Sequence, residues 1–325
     1  MSLIEKAVER LGQLQRADGQ VPEDDACPLV EAAKTADVPD PTSTVSHVRA
    51  ARSERAAEMH QAVGIELDLD RLTQIGLVTP NHPRSVIAEE YRVIKRPLIR
   101  NAQGRGAAAV ANGNLIMVTS ALPGEGKSFT AINLAMSIAM ELDHTVLLVD
   151  ADFSRPAVLS RLGLPPRKGL MDVLVGDIGD LSEVMLRTNV EKLSILPAGM
   201  AHQRATELIA SDAMNRLLEE MATRYAERII VFDSPPLLAT TEARVLATHM
   251  GQVVMVVESD RTTHGTVQQA LSTIDACPVK LLVLNKAAEG GRGSLYGYGY
   301  GYGYGYGGGS RTEEHGADAR TDAAA

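Results

Sequence analysis

Four stretches of this chain carry residue types at spacings suited to phosphate chemistry. Residues 121–128 read Ala-Leu-Pro-Gly-Glu-Gly-Lys-Ser, a GxxxxGK[ST] loop in which Ala121 replaces the first glycine. In such a loop the backbone N–H groups of Gly124, Glu125, Gly126 and Lys127 would wrap phosphates at a helix N-terminus. Lys127 would reach the β- and γ-phosphates, Ser128 would hold Mg²⁺, and Phe129 would follow them along the nucleotide. Two acidic segments come next, Asp150 with Asp152 and then Asp233. Carboxylates there can hold Mg²⁺, directly or through water, or accept a proton. The fourth stretch is Tyr296, Tyr298, Tyr300, Tyr302, Tyr304 and Tyr306, each separated from the next by a glycine. These are six of the eight tyrosines in a chain with no Trp and three Phe. A phenol with a pKa near 10 is a poor nucleophile at neutral pH, so it needs a carboxylate to take its proton. Asp150 or Asp152 is placed for that role by strand position, the other serving Mg²⁺, and the residues leave open which does which.

The elements that must position these groups are legible as short apolar runs. Residues 115–120, 145–149, 229–232, 253–257 and 281–284 look like parallel strands buried on both faces. Helical stretches separate most of them, including 128–140, where Ile132, Ala135, Ile138 and Ala139 would face the core. The alternation predicts an α/β fold: a doubly wound, mostly parallel sheet of P-loop NTPase type with helices on both faces. The glycine loop then lies between strand and helix, and the aspartates lie at carboxyl ends of strands, where ligands collect in open α/β sheets. Asn285 ends the last strand, where it could recognise a base.

Outside this body the pattern changes. Residues 2–16 read as an amphipathic helix with Leu3, Ile4, Ala7, Val8, Leu11 and Leu14 on one face. Residues 17–44 read as a Pro-, Asp- and Ala-rich linker, and 46–62 as a polar helix. In the Tyr-Gly segment, glycine at every second position removes the side chains a strand would pack. The expected organisation is a helical and linker region over 1–80, a nucleotide-binding domain over 81–290 and a disordered Tyr/Gly tail over 291–325. A net charge of −9 argues against general nucleic-acid binding. The two cysteines, Cys27 and Cys277, sit in no metal-ligand spacing and fit a reduced cytosolic setting. No apolar run approaches the ~20 residues of a membrane span.

Taken together these motifs resemble the bacterial tyrosine kinases, the BY-kinases. The resemblance runs from about residue 85 to 306 and rests on Val118–Ser128, Leu148–Asp152, Phe232–Pro236, Leu196–Gly199 and Glu207–Ser211. Residues 89–97 and 1–6 are similar to the autokinases that accompany exosortase-linked exopolysaccharide gene clusters. The resemblance implies ATP and Mg²⁺ as cofactors, Lys127, Asp150 and Asp152 as catalytic residues, and Ser128, Asp152 and Asp233 around the metal. It implies autophosphorylation of the C-terminal tyrosines and control of exopolysaccharide synthesis and export. Glu89, Arg92 and Lys95 fall where the family carries an E-x-x-R-x-x-R motif that holds subunits in a ring. Lys95 departs from its final arginine, and lysine lacks the planar fork for two-pronged carboxylate contacts. Ser154 likewise stands where a D-x-D-x-R pattern would have arginine, with Arg155 one position on. The implied partner is a separate membrane-anchored activator of the polysaccharide chain-length-determinant type. The implied location is cytoplasmic, at the inner face of the membrane through that partner.

Delivery of the tail is geometrically simple. From Asn285 to Tyr296 an extended chain spans up to ~36–40 Å, enough to reach its own site or a neighbour's. Each phosphate adds about −1.5 to −2 charge, so six add roughly −9 to −12. The competing reading is a nucleotide-switched ATPase scaffold of the partitioning type, with the tail as a partner-binding segment. Those proteins carry a signature lysine where this chain has Leu122.

Overall fold

The centre of the sheet is made by strands that no water reaches. In a computed structural model of the chain, β2 (Leu115–Ser120) is buried at every position. β3 (Thr145–Asp150) and β6 (Arg228–Asp233) are buried at all but their first residues. The structure describes residues 63–106, 109–224 and 227–287. The N-terminal amphipathic helix, the linker, Cys27 and the six tail tyrosines lie outside the described residues.

Among the described residues the sheet has eight strands. The remaining five are β1 (Val63–Ile65), β4 (Leu186–Thr188), β5 (Leu193–Leu196), β7 (Gln252–Glu258) and β8 (Val279–Asn285), in the order β1-β4-β5-β3-β6-β2-β7-β8. All neighbours pair in parallel except β4 with β5. The doubly wound, mostly parallel architecture expected from the apolar runs is what forms. β1 pairs with β4, so the folded body includes residues ahead of the expected boundary at 81. The structure also adds β4 and β5, three and four residues long, which are too short to announce themselves as apolar runs.

Alternation along each strand feeds two cores. On one face Ile116, Val118, Val146, Leu148 and Val231 pack against α2 (Val86–Ala102), α3 (Lys127–Ala139) and α4 (Val158–Leu162). On the other, Met117, Leu147, Val149, Phe232 and Met255 meet α5 (Leu170–Val175), α7 (Asp212–Arg224), α8 (Glu242–Ala247) and α9 (His264–Leu271). Two shorter helices complete the set, α1 (Leu69–Gln74) and α6 (Ala205–Ile209). Burying a leucine-sized side chain contributes about 1.5–3 kcal/mol, so these two layers fix the strand ends where the site forms. Helix α3 is buried almost all round rather than on one stripe, because the sheet covers one side and α2 the other.

Helix α2 has a side-chain cap at its start. Ser85 caps it, its side chain accepting from the Ala88 N–H, a contact typically worth about 1 kcal/mol. Its buried residues are Ala88, Tyr91, Lys95, Leu98 and Ile99, the three-four spacing of a core-facing stripe. Lys95 belongs to that stripe and is only 3% exposed.

Candidate phosphoryl-transfer site

The loop after β2 is built on two glycines with left-handed backbone, Gly124 at φ +91° and Gly126 at φ +103°. Side chains rarely adopt such angles. At Gly126 the need is double, since a Cβ would lie 2.0 Å from Asn285 Nδ2. Gly126 is the N-cap of α3, so the loop delivers the uncapped N–H groups of a buried helix to the site. In the first position Ala121 is fully buried and fits.

Four side chains hold this loop in shape. Glu125 is buried, and its Oε2 accepts from the Leu122 N–H at 2.6 Å. Its other oxygen accepts from the Thr262 hydroxyl. Asn285 Nδ2 donates to the Glu125 carbonyl at 2.8 Å, and Lys286 Nζ to the Gly124 carbonyl at 2.7 Å. Lys286 also pairs with Glu258 at 3.1 Å, a contact that holds the Glu258 carboxyl below its usual range. The Glu125 carboxylate thus braces the loop, leaving its N–H as the group available to phosphate. Asn285 lines the cleft while bonded to the loop backbone.

The carboxylates converge here in distinct states. Asp152 Oδ2 lies 2.8 Å from Lys127 Nζ, and both side chains are largely buried. Asp150 is occupied by backbone: Oδ2 accepts from the Ala157 and Val158 N–H groups at 3.0 Å each, and Oδ1 from the Asp152 N–H at 3.3 Å. Burial, followed by the nearby Asp233 charge, raises the Asp150 pKa to about 7. Asp233 has no exposure, and neither carboxylate oxygen accepts a hydrogen bond among the described residues. Burial raises its pKa to about 6, opposed by the Lys127 charge and by the Ser128 hydroxyl, which is close by but outside hydrogen-bonding geometry. A buried carboxylate left without donors costs free energy unless a cation completes it. With Ser128 beside it, this orphaned pair of oxygens fits Mg²⁺, an oxygen-seeking cation held by few protein ligands.

An open cleft of about 480 Å³ lies over the loop, lined by Gly124, Gly126, Lys127, Ser128, Phe129, Arg161, Asn285 and Lys286. That volume falls in the range of small-ligand sites, roughly 300–1,000 Å³. The sequence reading did not include Arg161 or Lys286. Arg155, the candidate for the missing arginine, is exposed and donates its backbone N–H to Asp152, and it does not line this cleft.

The charged triplet on α2 does not stay together. Glu89 and Arg92 pair with each other on the exposed side, and Arg92 also donates to the Pro83 carbonyl at 2.8 Å. Lys95, at the position of the motif's final arginine, is turned inward. Its Nζ donates to the Ser137 carbonyl of α3 and pairs with Glu141 at 2.8 Å. Burial lowers the Lys95 pKa, and Glu141 partly restores it. Burial also works against ionised Glu141, but the Lys95 hydrogen bond and charge outweigh it and hold that carboxyl below its usual range. Arg96, on the exposed side, reaches Glu141 at 3.5 Å.

With this geometry in place, a family model described as an AAA domain matches residues 113–285, more than half of the chain. The tyrosine-protein kinase YwqD of Bacillus subtilis (strain 168) is 32% identical over 209 residues, covering 64% of this chain and 84% of that protein. The chain belongs to the bacterial tyrosine-protein kinases. The succinoglycan biosynthesis transport protein ExoP of Rhizobium meliloti (strain 1021) is 33% identical over 231 residues, 70% of this chain. The match spans only 28% of ExoP, so most of that protein's length has no counterpart in the aligned part of this chain. Among solved structures, the kinase domain of the Escherichia coli tyrosine kinase ETK matches with a TM-score of 0.51 at 28% identity, covering 60% of this chain and 74% of that one. Among the described residues no helix is long and apolar enough to cross a membrane.

Proposed function

We propose that the protein transfers the γ-phosphoryl group of Mg-ATP to tyrosine phenols of its own 296–306 segment. The observation that carries this reading is the convergence of Asp152 and the orphaned Asp233 on Lys127 and Ser128 at the end of a P-loop. In this reading the backbone N–H groups of 124–127 and the Lys127 ammonium bind the phosphates, and Ser128 and Asp233 hold Mg²⁺. The metal, when bound, neutralises charge on the β- and γ-phosphates.

Proton transfer falls to Asp152. Asp150 has a pKa suited to a base near neutral pH, yet both its oxygens already accept backbone N–H groups. Geometry takes precedence: Asp152 faces the lysine that meets the γ-phosphate, and Asp150 shapes the loop that carries Asp152. In the step itself the phenol oxygen bonds to γ-phosphorus, the bridging oxygen leaves with ADP, and the phenol proton passes to Asp152.

The relatives extend the reading. One is named a tyrosine-protein kinase and one a succinoglycan biosynthesis transport protein, which supports a role in controlling exopolysaccharide synthesis and export. We place the protein at the inner face of the membrane with a membrane-anchored activator of the chain-length-determinant type, and in a homo-oligomer. Glu89 and Arg92 present the exposed charge for subunit contact.

Purified full-length protein incubated with Mg-ATP tests the core of this. Phosphotyrosine should appear on 296–306, mapped by mass spectrometry, and should vanish in Lys127→Met. Hydrolysis of ATP without phosphotyrosine would instead identify a nucleotide-switched ATPase scaffold and sink the kinase reading.

A further inference from the structure

Three cations line the nucleotide cleft, and two of them are engaged. Lys127 pairs with Asp152, and Lys286 bridges the Gly124 carbonyl and Glu258. The third, Arg161, is exposed and its guanidinium makes no hydrogen bond or ion pair among the described residues. It is nonetheless close enough to the metal side of the site for its charge to act on Asp233.

The helix that carries it is anchored. Arg161 sits on α4, whose first N–H, that of Val158, is held together with that of Ala157 by Asp150 Oδ2. Val158, Leu159 and Leu162 of that helix are anchored in the core. The helix ends at Gly163, a left-handed C-cap at φ +78° whose N–H bonds back to the Ser160 carbonyl. An arginine on a short helix anchored in the core brings a planar donor fork to the cleft, with all its N–H groups available to phosphate oxygens.

We propose that Arg161 is a catalytic residue: its guanidinium contacts the terminal phosphoryl group of bound ATP and stabilises the charge on it during transfer. This rests on the phosphoryl-transfer reading and adds a cation that the P-loop motif does not contain. Asp150 then links two tasks, carrying Asp152 on one side of its loop and Arg161 on the other. The bonds made and broken are unchanged; Arg161 donates hydrogen bonds to γ-phosphoryl oxygens and exchanges no proton.

The test separates the terminal phosphate from the rest of the nucleotide, using full-length protein, Arg161→Ala and Arg161→Lys. Calorimetry with Mg-ADP and with a non-hydrolysable Mg-ATP analogue reads binding, and tail phosphorylation reads kcat. Arg161→Ala should leave ADP affinity within about twofold, weaken the ATP analogue about tenfold and lower kcat about 100-fold. Arg161→Lys should recover part of each loss, since charge returns without the fork. Equal losses for ADP and the ATP analogue, or no loss for either, would overturn the assignment. Thermal melting of the variants excludes misfolding as the cause. If the wild type binds the analogue yet forms no phosphotyrosine, the kinase reading fails, while the ATP-over-ADP difference at Arg161 still decides this one.

Discussion

The P-loop cleft and the charged face of α2 were both legible as motifs, and they fared differently. At the cleft, residues far apart in sequence arrived together: Lys127 on Asp152, with Asp233 beside Ser128. On α2, three residues within one short span came apart, with Glu89 and Arg92 outside and Lys95 inside. The cause is geometric. The carboxyl ends of adjacent parallel strands are fixed by ladder register, and Asp150 is opposite Asp233. A spacing of three on an α-helix turns about 300°, so two such steps carry the last residue roughly 120° from the first. That drift takes Lys95 from the solvent face into the 88/91/95/98 stripe. The strand-end motif constrains space, whereas the helix motif constrains only a sector that slides.

Substitutions can press on that contrast. The largest effect belongs to the cleft. Asp233→Asn should slow tail phosphorylation about 100- to 1,000-fold, and leave the urea midpoint equal or higher, because it removes a buried charge without donors. Slower transfer with a large fall in stability would show that Asp233 is a structural group. Next comes Lys95→Ala, expected to cost about 2 kcal/mol in urea unfolding. That is below the roughly 3–5 kcal/mol of a fully buried pair, since Glu141 is 23% exposed. Lys95→Met, which keeps the stem, should recover part of the loss.

The pH dependence of stability is a smaller test. Asp150 has its carboxyl raised from 3.8 to about 7, so the folded state binds its proton more tightly than the unfolded state. Stability from this group therefore falls as pH rises from about 4 to about 7. Asp150→Asn should flatten that slope in urea midpoints taken from about pH 5 to about pH 8. Asp233, raised to about 6, contributes in the same direction and leaves a residual slope. The smallest change in stability is expected of Glu89→Ala, within about 0.5 kcal/mol for an exposed pair. Its effect should be seen in light scattering, as a loss of assembly. An unchanged oligomer would remove the exposed face of α2 from the interface.

How much could be read beforehand follows the same physics. The central strands were legible because burial on both faces writes an unbroken apolar run, as in Leu115–Ser120. β4 was not, because Leu-Arg-Thr at the side of a sheet leaves Arg187 exposed and resembles loop. The P-loop was legible because its glycines are imposed by backbone angle. The brace under it was not: Glu125 reads as a loop residue, and its contact with Thr262 spans 137 positions. Lys95 was misplaced although a signal existed, since the three-four spacing of Ala88, Tyr91 and Leu98 includes it. Arg161 had no such signal, because only the path of the chain after Asp150 brings it over the loop.

The strand order has a consequence for how the chain can be tethered. β1 and β4 run opposite to the other six strands, since β4 meets β5 antiparallel and β1 follows β4. The chain therefore enters the sheet at Val63 and leaves it at Asn285 on the same rim, the rim that carries the nucleotide cleft. These two points lie at opposite edges of eight strands, roughly 34 Å apart at about 4.8 Å per strand. Val63 and Asn285 thus sit on one rim at separate corners, so a partner that covers one corner leaves the other open.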